Sequence, residues 1–386
     1  MNPELRKKLN TGMGLTHSGR FHADDVISTC LLKLINPEIK IVRSNVIPFD
    51  FDGVIFDVGG GEYDHHQKNA PARTNGIPYA AFGLLWRDIA DELVPKRNIT
   101  LVDTVFVSEI DKCDNSPSKN LFSSSIENFN VFWDEERNEN KAFEEAVNFF
   151  LPYFQNLISY FSKSNYILHY SQYTNQFLIE GIKKLYYEKM KIEIQYNYYS
   201  SAFSLWETYG HDIINNSDRF IKTFLLPAEK VYGVFHTSPW QLILNTSSHE
   251  ECEKLIYKTM EREIKRLQSV DNAKEKLNKE YENSERKDII SLHQYLPFDT
   301  LLKDHPNIKA IVFPSNRGGY MILFPSSLTQ TGLKFPTELC GQSGEEIRKY
   351  QKGLFFVHLS GTIGSCDSIE DAYEIYDKIS LQINNI

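Results

Sequence analysis

Aspartate and histidine side chains are concentrated in four short segments of the first 115 residues, and together they have the chemistry of a metal site. The segments read THSGRFHADD, IFDVGG, YDHHQ and EIDKCDN. They supply ten candidate side chains: His17, His22, Asp24, Asp25, Asp57, Asp64, His65, His66, Asp111 and Asp114. Mixed imidazole and carboxylate ligands suit Mn²⁺ better than Mg²⁺, which prefers oxygen, and a structural zinc site would need cysteines. The segments predict a divalent-metal site, with manganese favoured and Mg²⁺, Co²⁺ or Zn²⁺ as substitutes.

Each of these segments also has an ordinary structural interpretation. A His-His pair in a loop is commonly solvated, and Asp111 and Asp114 could be turn residues beside Asn115 and Pro117. Asp57 is harder to explain in this way, because an unpaired carboxylate at the end of a buried strand is costly without a cation or hydrogen bonds. Four such segments in one region favour a metal site over four unrelated turns.

The elements around these segments predict an α/β domain with a largely parallel sheet. Residues 24–35 have apolar side chains at helical spacing, and Asp24 is suited to cap the start of that helix. Residues 39–46 and 53–60 have the composition of strands. Alternating strand, helix and strand indicate a parallel sheet, in which ligands collect at the carboxyl ends of the strands. We expect Asp57 at such an end.

The rest of the chain predicts a helical middle region and a smaller α/β domain. Residues 129–230 are aromatic-rich with helical periodicity, which core packing explains more simply than nucleobase stacking. Residues 251–281 predict a long amphipathic helix that links domains. Residues 308–315 and 319–325 read as paired strands, and residues 354–368 as a strand, a glycine loop and the entry to a helix.

Length, net charge and cysteine content indicate how many domains the protein has and which partners and compartments suit it. A chain of 386 residues is expected to form two domains, and its net charge of −9 argues against a general electrostatic grip on duplex nucleic acid. Bound cations could still supply positive charge locally. Five cysteines without CxxC spacing suit reduced thiols, and no apolar run reaches ~18 residues. We expect a soluble, intracellular protein without membrane contact; cytoplasm, nucleus and mitochondrion stay open, as does a homo-oligomer.

The order of the four segments resembles the successive motifs of the DHH phosphoesterase superfamily. More narrowly, THSGRFHADD, DVGGGEYDHHQ and the closing FVHLSGTIG resemble the melanocyte-proliferating-gene family, whose members are described as metal-dependent 3′–5′ RNA exonucleases. The resemblance covers residues 15–150 and about 285–386. It implies a DHH-type phosphoesterase domain over 1–150, a helical insertion and linker helix over 151–284, and a substrate-binding α/β domain over 285–386.

The resemblance also implies roles for individual residues. The implied metal ligands are His17, His22, Asp24, Asp25, Asp57, His65 and Asp111. Asp57 is expected to bridge two ions, and Asp57, His66 and Asp25 are the implied catalytic residues. The expected reaction is hydrolysis of RNA or a short oligonucleotide by water, activated between two ions ~3.5–4 Å apart.

Substrate binding is expected to involve cationic side chains and a glycine loop. Arg20, Lys68, Arg73 and Arg317 are candidate phosphate contacts. In the closing segment, glycines allow backbone N–H groups to approach a phosphate or sugar, and the implied contacts are His358, Ser360, Gly361 and Gly364. Two alternatives stay open: a phosphatase for a nucleotide or pyrophosphate, and an inactive scaffold that binds partners through its aromatic middle region.

Overall fold

The computed structural model describes residues 1–67, 70–116, 118–163, 174–194, 201–229, 238–315, 318–325 and 333–384. The chain divides into two compact units, one of Met1–His65 with Ala70–Gln268 and one of His66–Asn69 with Ser269–Ile386. The sequence predicted boundaries near residues 150 and 284. The aromatic helices that follow residue 150 bury their side chains in the same core as the preceding helices.

A three-stranded parallel sheet lies in the first unit. Its strands run in the spatial order β2-β1-β3, and their bounds are β1 (Met13–Thr16), β2 (Lys40–Arg43) and β3 (Val54–Ile55). Leu15 at the centre of the sheet is paired with both Val42 and Ile55. The parallel pairing predicted for this region is confirmed. Because β1 and β3 are parallel, the residues that follow them, His17 and Asp57, leave the same edge of the sheet.

Helices form the remainder of the first unit and pack around a large apolar core. They are α1 (Pro3–Asn10), α2 (Ala23–Ile35), α3 (Ala81–Leu93), α4 (Lys96–Val102), α5 (Ser108–Asn115), α6 (Leu121–Glu127), α7 (Glu139–Ser162), α8 (Thr174–Met190), α9 (Ala202–Ile213), α10 (Ser217–Phe220), α11 (Leu226–Glu229) and α12 (Pro239–Thr246). Two π-helical turns, Asp103–Val107 and Ile221–Leu225, continue α4 and α10. Phenylalanine rings from α3, α6 and α7 meet edge to face in this core, a favoured aromatic geometry.

Helix α2 begins one residue earlier than predicted, and this changes the role of Asp24. His22 is the N-cap residue, and the carboxylate of Asp25 accepts a hydrogen bond from its backbone N–H at 2.8 Å. Asp24 therefore does not cap its own helix. Its two oxygens instead accept the Ala81 and Phe82 N–H groups at the start of α3, at 3.1 and 2.7 Å. The helix was predicted correctly, whereas the cap was wrong.

The predicted long amphipathic helix is confirmed as α13 (His249–Asn283), which is 35 residues long. Its buried side chains follow spacings of three and four residues, as expected of a helix with one apolar face. They include Cys252, Leu255, Ile256, Met260, Ile264 and Leu267. Among the described residues, no helix is both long enough and apolar enough to cross a membrane.

The second unit contains a mixed five-stranded sheet in the order β4-β5-β6-β8-β7. The strands are β4 (Ile289–Ser291), β5 (Ala310–Pro314), β6 (Tyr320–Leu323), β7 (Leu354–Val357) and β8 (Ile363–Cys366). The helices are α14 (Asp299–Asp304), α15 (Glu345–Arg348) and α16 (Ile369–Asn384), with a 3₁₀ turn at Thr337–Leu339. Strands β5 and β6 are antiparallel neighbours, which confirms the predicted pairing.

The closing segment differs from its predicted form. The sequence suggested a strand, a glycine loop and the entry to a helix over residues 354–368. The segment is instead an antiparallel hairpin of β7 and β8, joined by a turn at residues 358–362. Gly364 lies inside β8, where a Cβ atom would come within 2.4 Å of the Phe335 ring. The glycine is therefore required by close packing of a ring. The helix that was predicted to follow this segment is confirmed and begins at Ile369.

Candidate metal centre

His17 follows β1 and points one ring nitrogen at two carboxylates. Its Nδ1 lies 2.9 Å from the backbone oxygen of Ser18, which fixes the ring proton on Nδ1 in the neutral tautomer. Its Nε2 lies 3.1 Å from Asp25 and 3.3 Å from Asp57. A histidine whose far nitrogen donates to a carbonyl presents the other nitrogen as a metal ligand.

Asp25 lies in the first turn of α2 and is fully buried. Its oxygens accept hydrogen bonds from the Thr16 hydroxyl at 2.9 Å and the His22 N–H at 2.8 Å. Burial alone would raise the pKa of Asp25, but the positive charge of His17 and that of His22 overcome it, so the pKa lies below its usual range. Ligand atoms of His17, His22 and Asp25 lie within 4.8 Å of one another. We call these three residues group A.

His65 is oriented by an asparagine on α5. The Nδ1 of His65 lies 3.1 Å from Oδ1 of Asn115, and the Asn115 amide nitrogen donates to the backbone oxygens of Tyr79 and Asp111. Those two bonds fix the asparagine so that its oxygen faces the histidine. The Nε2 of His65 then points at Asp57 and Asp114.

A second set of ligand atoms forms around this histidine. Atoms of Asp24, His65 and Asp114 lie within 4.8 Å of one another, and we call these residues group B. Asp24 contributes although it caps α3, because a carboxylate offers about four lone-pair sites and the two N–H groups occupy two of them. Burial, followed by the negative charges of Asp57 and Asp114, raises the pKa of Asp24 well above its usual value.

Asp57 lies between the two groups. One carboxylate oxygen is 3.3 Å from Nε2 of His17 and the other is 3.0 Å from Nε2 of His65. The backbone of Asp57 has φ +56°, a left-handed conformation uncommon for this residue, and its N–H donates to the Tyr63 oxygen at 2.9 Å. The chain therefore turns sharply after β3 in the conformation that directs this carboxylate to both histidines.

Charge in this centre suits divalent cations. Four carboxylates, Asp24, Asp25, Asp57 and Asp114, lie beside three imidazoles, those of His17, His22 and His65. Burial opposes protonation of His17 and His65, but the adjacent carboxylates outweigh it, raising the pKa of His17 well above 6.5 and that of His65 to about 12. Without a metal ion, two imidazolium groups thus compensate part of the negative charge. The mixture of oxygen and nitrogen donors fits Mn²⁺ and related ions.

Asp111 was predicted as a ligand but belongs to neither group. Its carboxylate accepts the Gly83 N–H at 3.1 Å and pairs with the Arg73 guanidinium at 2.7 Å. Burial raises the pKa of Asp111 to about 7, although Arg73 acts against that rise. Arg73 was a candidate phosphate contact, yet it is itself buried and also binds Asp103. Asp114, three residues along the same helix, instead has a carboxylate oxygen within 4.8 Å of ligand atoms of Asp24 and His65.

The remaining predicted residues of this region belong to neither group A nor group B, or lie outside the described residues. Arg20 is exposed in the turn before α2. His66 is exposed and is grouped with the second unit. Asp64 is buried and accepts the Gly60 N–H at 2.6 Å. Lys68 and Arg317 lie outside the described residues.

In the second unit, three of the four predicted substrate contacts, His358, Ser360 and Gly361, lie in one polar turn. The Ser360 N–H donates to Nδ1 of His358 at 3.1 Å, and the Ser360 hydroxyl lies 2.9 Å from the same nitrogen. Gly361 has φ +68°, which glycine adopts readily. Gly364 lies beyond the turn in β8. The role of this turn in substrate binding stays a prediction.

Two buried residues that sequence reasoning missed hold the loop of group A. Arg43, at the end of β2, donates to the Gly19 oxygen at 2.6 Å. Asn130 accepts the Phe21 N–H at 2.9 Å and donates to the Phe21 oxygen at 2.7 Å. No local pattern marks Asn130, because its partner lies 109 residues earlier in the chain.

Comparison with known proteins finds one family model and several relatives that are similar to part of this chain. Residues 14–180 match the model of an uncharacterised protein family, UPF0160. The MYG1 protein of Dictyostelium discoideum is 25% identical over 187 residues, covering 39% of this chain and 56% of that protein. The MYG1 protein of Caenorhabditis elegans is 26% identical over 189 residues, covering 38% and 54%. That of Saccharomyces cerevisiae is 32% identical over 146 residues, covering 31% and 43%.

Residues 14–180, which match this family model, include groups A and B with Asp57. The chain spans about half the length of the curated relatives that it matches. The search of solved structures gives no significant match.

Proposed function

We propose that the chain is a metal-dependent phosphodiesterase that uses two divalent ions, one at group A and one at group B. The observation that carries this proposal is the position of Asp57, whose two oxygens face the histidines of the two groups at 3.3 and 3.0 Å. A carboxylate shared in this way is the ligand that a pair of ions needs. Paired ions, when bound, supply Lewis acidity and lower the pKa of water, so no nucleophilic side chain is required.

The residues of the chain do the work of orientation. Ser18 and Asn115 fix the far nitrogens of His17 and His65, so both Nε2 atoms point towards Asp57. Thr16 and the His22 N–H fix the carboxylate of Asp25. Burial of these groups excludes bulk water and strengthens each electrostatic interaction. Ligands held in place before the ions bind lose less conformational freedom on binding.

We propose the end of an RNA or a short oligonucleotide as the substrate, cleaved in the 3′–5′ direction, with Mn²⁺ as the ion. Support comes from the resemblance of the three sequence segments to a family described by this activity. The net charge of −9 is compatible with such a substrate if bound cations contact the phosphate. Arg20 is exposed and lies two residues before His22. We propose that its guanidinium contacts the phosphate backbone of the substrate.

Digestion of end-labelled RNA and DNA oligonucleotides tests this proposal, with Mn²⁺, with Mg²⁺ and with chelator. We expect Mn²⁺-dependent loss of single nucleotides from the 3′ end of RNA. Label placed at each end in turn gives the direction. Hydrolysis of a nucleotide or pyrophosphate without degradation of RNA would support the small-substrate phosphatase instead. Failure to bind any divalent ion would leave the inactive scaffold.

A further inference from the structure

We infer that Asn130, which Arg262 of the long helix α13 holds in place, positions the loop that carries group A. This inference rests on the proposed function, because it concerns how the chain holds one of the two ion sites. Asn130 contacts none of the candidate ligands directly. It acts through Phe21, the residue that directly precedes His22.

The side-chain amide of Asn130 binds both backbone groups of Phe21. Its Oδ1 accepts the Phe21 N–H at 2.9 Å, and its Nδ2 donates to the Phe21 oxygen at 2.7 Å and to the Glu127 oxygen at 2.9 Å. This pair of bonds imitates a strand partner. The Phe21 ring packs edge to face against Phe143 of α7 at 5.5 Å. Phe21 is therefore fixed through its backbone and its ring.

Arg262 in turn fixes the segment that carries Asn130. Its guanidinium donates to the Asn128 and Asn130 backbone oxygens at 2.7 and 2.9 Å, and it pairs with Glu135 at 2.9 Å. It also lies 4.6 Å from the centre of the Phe132 ring. Arg262 is only 3% exposed, so these bonds compete little with water. A connection between α6 and α7 is thus held to a rigid helix at several points.

The position of Phe21 in the chain gives these bonds a consequence for the metal site. His17 lies four residues before it, and His22 and Asp25 lie one and four residues after it. A shift of the Phe21 backbone would move His22 and the N–H that binds Asp25. Hydrogen-bond partners that orient metal ligands typically contribute about 10–100-fold to metal affinity. Group B depends on a different asparagine, Asn115.

The chain provides a matched control within the same segment. Asn128 is also buried and also makes a strong side-chain bond, from Nδ2 to Glu263 at 2.7 Å, but it does not contact the loop. Asn128→Ala and Asn130→Ala should both lower the melting temperature of the metal-free protein. Only Asn130→Ala should weaken binding at group A. Asn115→Ala should weaken binding at group B instead.

The experiment is titration of the metal-free full chain with Mn²⁺, followed by calorimetry and by electron paramagnetic resonance. We expect two ions in the wild type and in Asn128→Ala, with the spectrum of a coupled pair. In Asn130→Ala we expect one binding step to weaken by about 10–100-fold, with a single-ion spectrum at intermediate Mn²⁺. If Asn130→Ala is too unstable to purify, Arg262→Lys takes its place and should weaken the same step.

The possible results separate this inference from the proposed function. Two ions in the wild type, with equal affinities in Asn130→Ala and Asn128→Ala, would overturn the positioning role and leave the two-ion proposal standing. Loss of affinity in both variants together would also overturn the positioning role, because that is the behaviour of a purely structural contact. A wild type that binds no Mn²⁺ would overturn the proposed function and this inference with it.

Discussion

The candidate metal centre of the first unit and the polar turn of the second differ in how far apart along the chain their hydrogen-bonded residues lie. In the candidate metal centre, local bonds such as those of His17 and Asp25 are accompanied by hydrogen bonds between residues 50, 58 and 109 positions apart. In the turn at residues 358–362, the bonds among His358, Ser360 and Thr362 join residues two positions apart. Ligands that must replace the water around an ion need positions fixed in advance. A turn that only contacts a substrate can be ordered by its own neighbours.

The largest effect is expected from Asp57→Asn. The substitution preserves shape but removes the charge shared by the two groups, so we expect one ion per chain instead of two. Activity should fall by more than the roughly 10–100-fold typical of losing a partner of a ligand. Elemental analysis after Mn²⁺ loading and oligonucleotide digestion measure the two quantities.

Asp64→Asn is the control for this change, because Asp64 is also buried but binds the Gly60 N–H and belongs to neither group. We expect it to keep both ions. A normal turnover rate in Asp57→Asn would show that the bridging role is wrong.

The next largest effect is expected from Gly83→Ala, which should lower the stability of the first unit. A Cβ atom on Gly83 would lie 1.9 Å from Oδ2 of Asp111 and 2.8 Å from Nη2 of Arg73. Gly83→Ala should therefore push the buried ion pair apart and lower the free energy of unfolding by about 1–3 kcal/mol. Urea denaturation of the metal-free protein measures this change.

Gly61→Ala is the matched control, because a Cβ atom there meets nothing within 4 Å and the backbone is not left-handed. We expect a change of at most about 0.5 kcal/mol. Equal unfolding midpoints for the two variants would contradict the rigid packing that distinguishes this centre from the turn.

Metal binding at this centre is expected to release protons, so the affinity for metal should depend on pH. The adjacent carboxylates raise the pKa values of His17 and His65 and so favour the protonated imidazoles in the metal-free protein. An ion must displace those protons, so affinity should rise by about tenfold per pH unit for each proton released. Calorimetry in two buffers of different ionisation enthalpy counts the protons. Binding that does not depend on pH between 6 and 8 would contradict this charge state.

The same pKa shifts determine how the stability of the metal-free protein changes with pH. A histidine with a raised folded pKa contributes its full stabilisation below the ordinary value of 6.5 and loses it as pH rises towards the folded value, about 12 for His65. Metal-free protein should thus lose this contribution across the range in which metal binding tightens. The metal-bound protein should be correspondingly less sensitive to alkaline pH.

The sequence was sufficient for the parts of this centre that depend on local pattern. The position of Asp57 at the end of a strand could be predicted from the apolar run before it, and the parallel sheet followed from the order of strand and helix. The sequence assigned a ligand role to Asp111, on the same face of α5 as Asp114 at a spacing of three residues. It could not show that Asp111 pairs with Arg73, 38 positions earlier in the chain.

Contacts between distant segments explain the other differences. The cap formed by Asp24 on α3 spans 57 residues, so no local capping pattern could predict it. Gly364 looked like part of a phosphate-binding loop because glycine serves both close ligand approach and close packing. Only the position of the Phe335 ring shows that packing requires it. Sequence therefore predicts which residues need a partner more readily than which partner they find.

The smallest effect is expected from His358→Ala, which tests the turn against the metal centre. The Ser360 N–H donates to Nδ1 of His358, which places the ring proton on Nε2 in the neutral form. If that proton contacts the substrate, its loss should raise KM by about 2- to 10-fold, the value of one ordinary hydrogen bond. Metal stoichiometry should not change, because the ligands of groups A and B lie in the first unit. His293→Ala, at a well-exposed histidine of the same unit, is the control and should leave KM unchanged. An unchanged KM in His358→Ala would remove this histidine from the substrate site, whereas loss of metal would show that the two regions depend on each other.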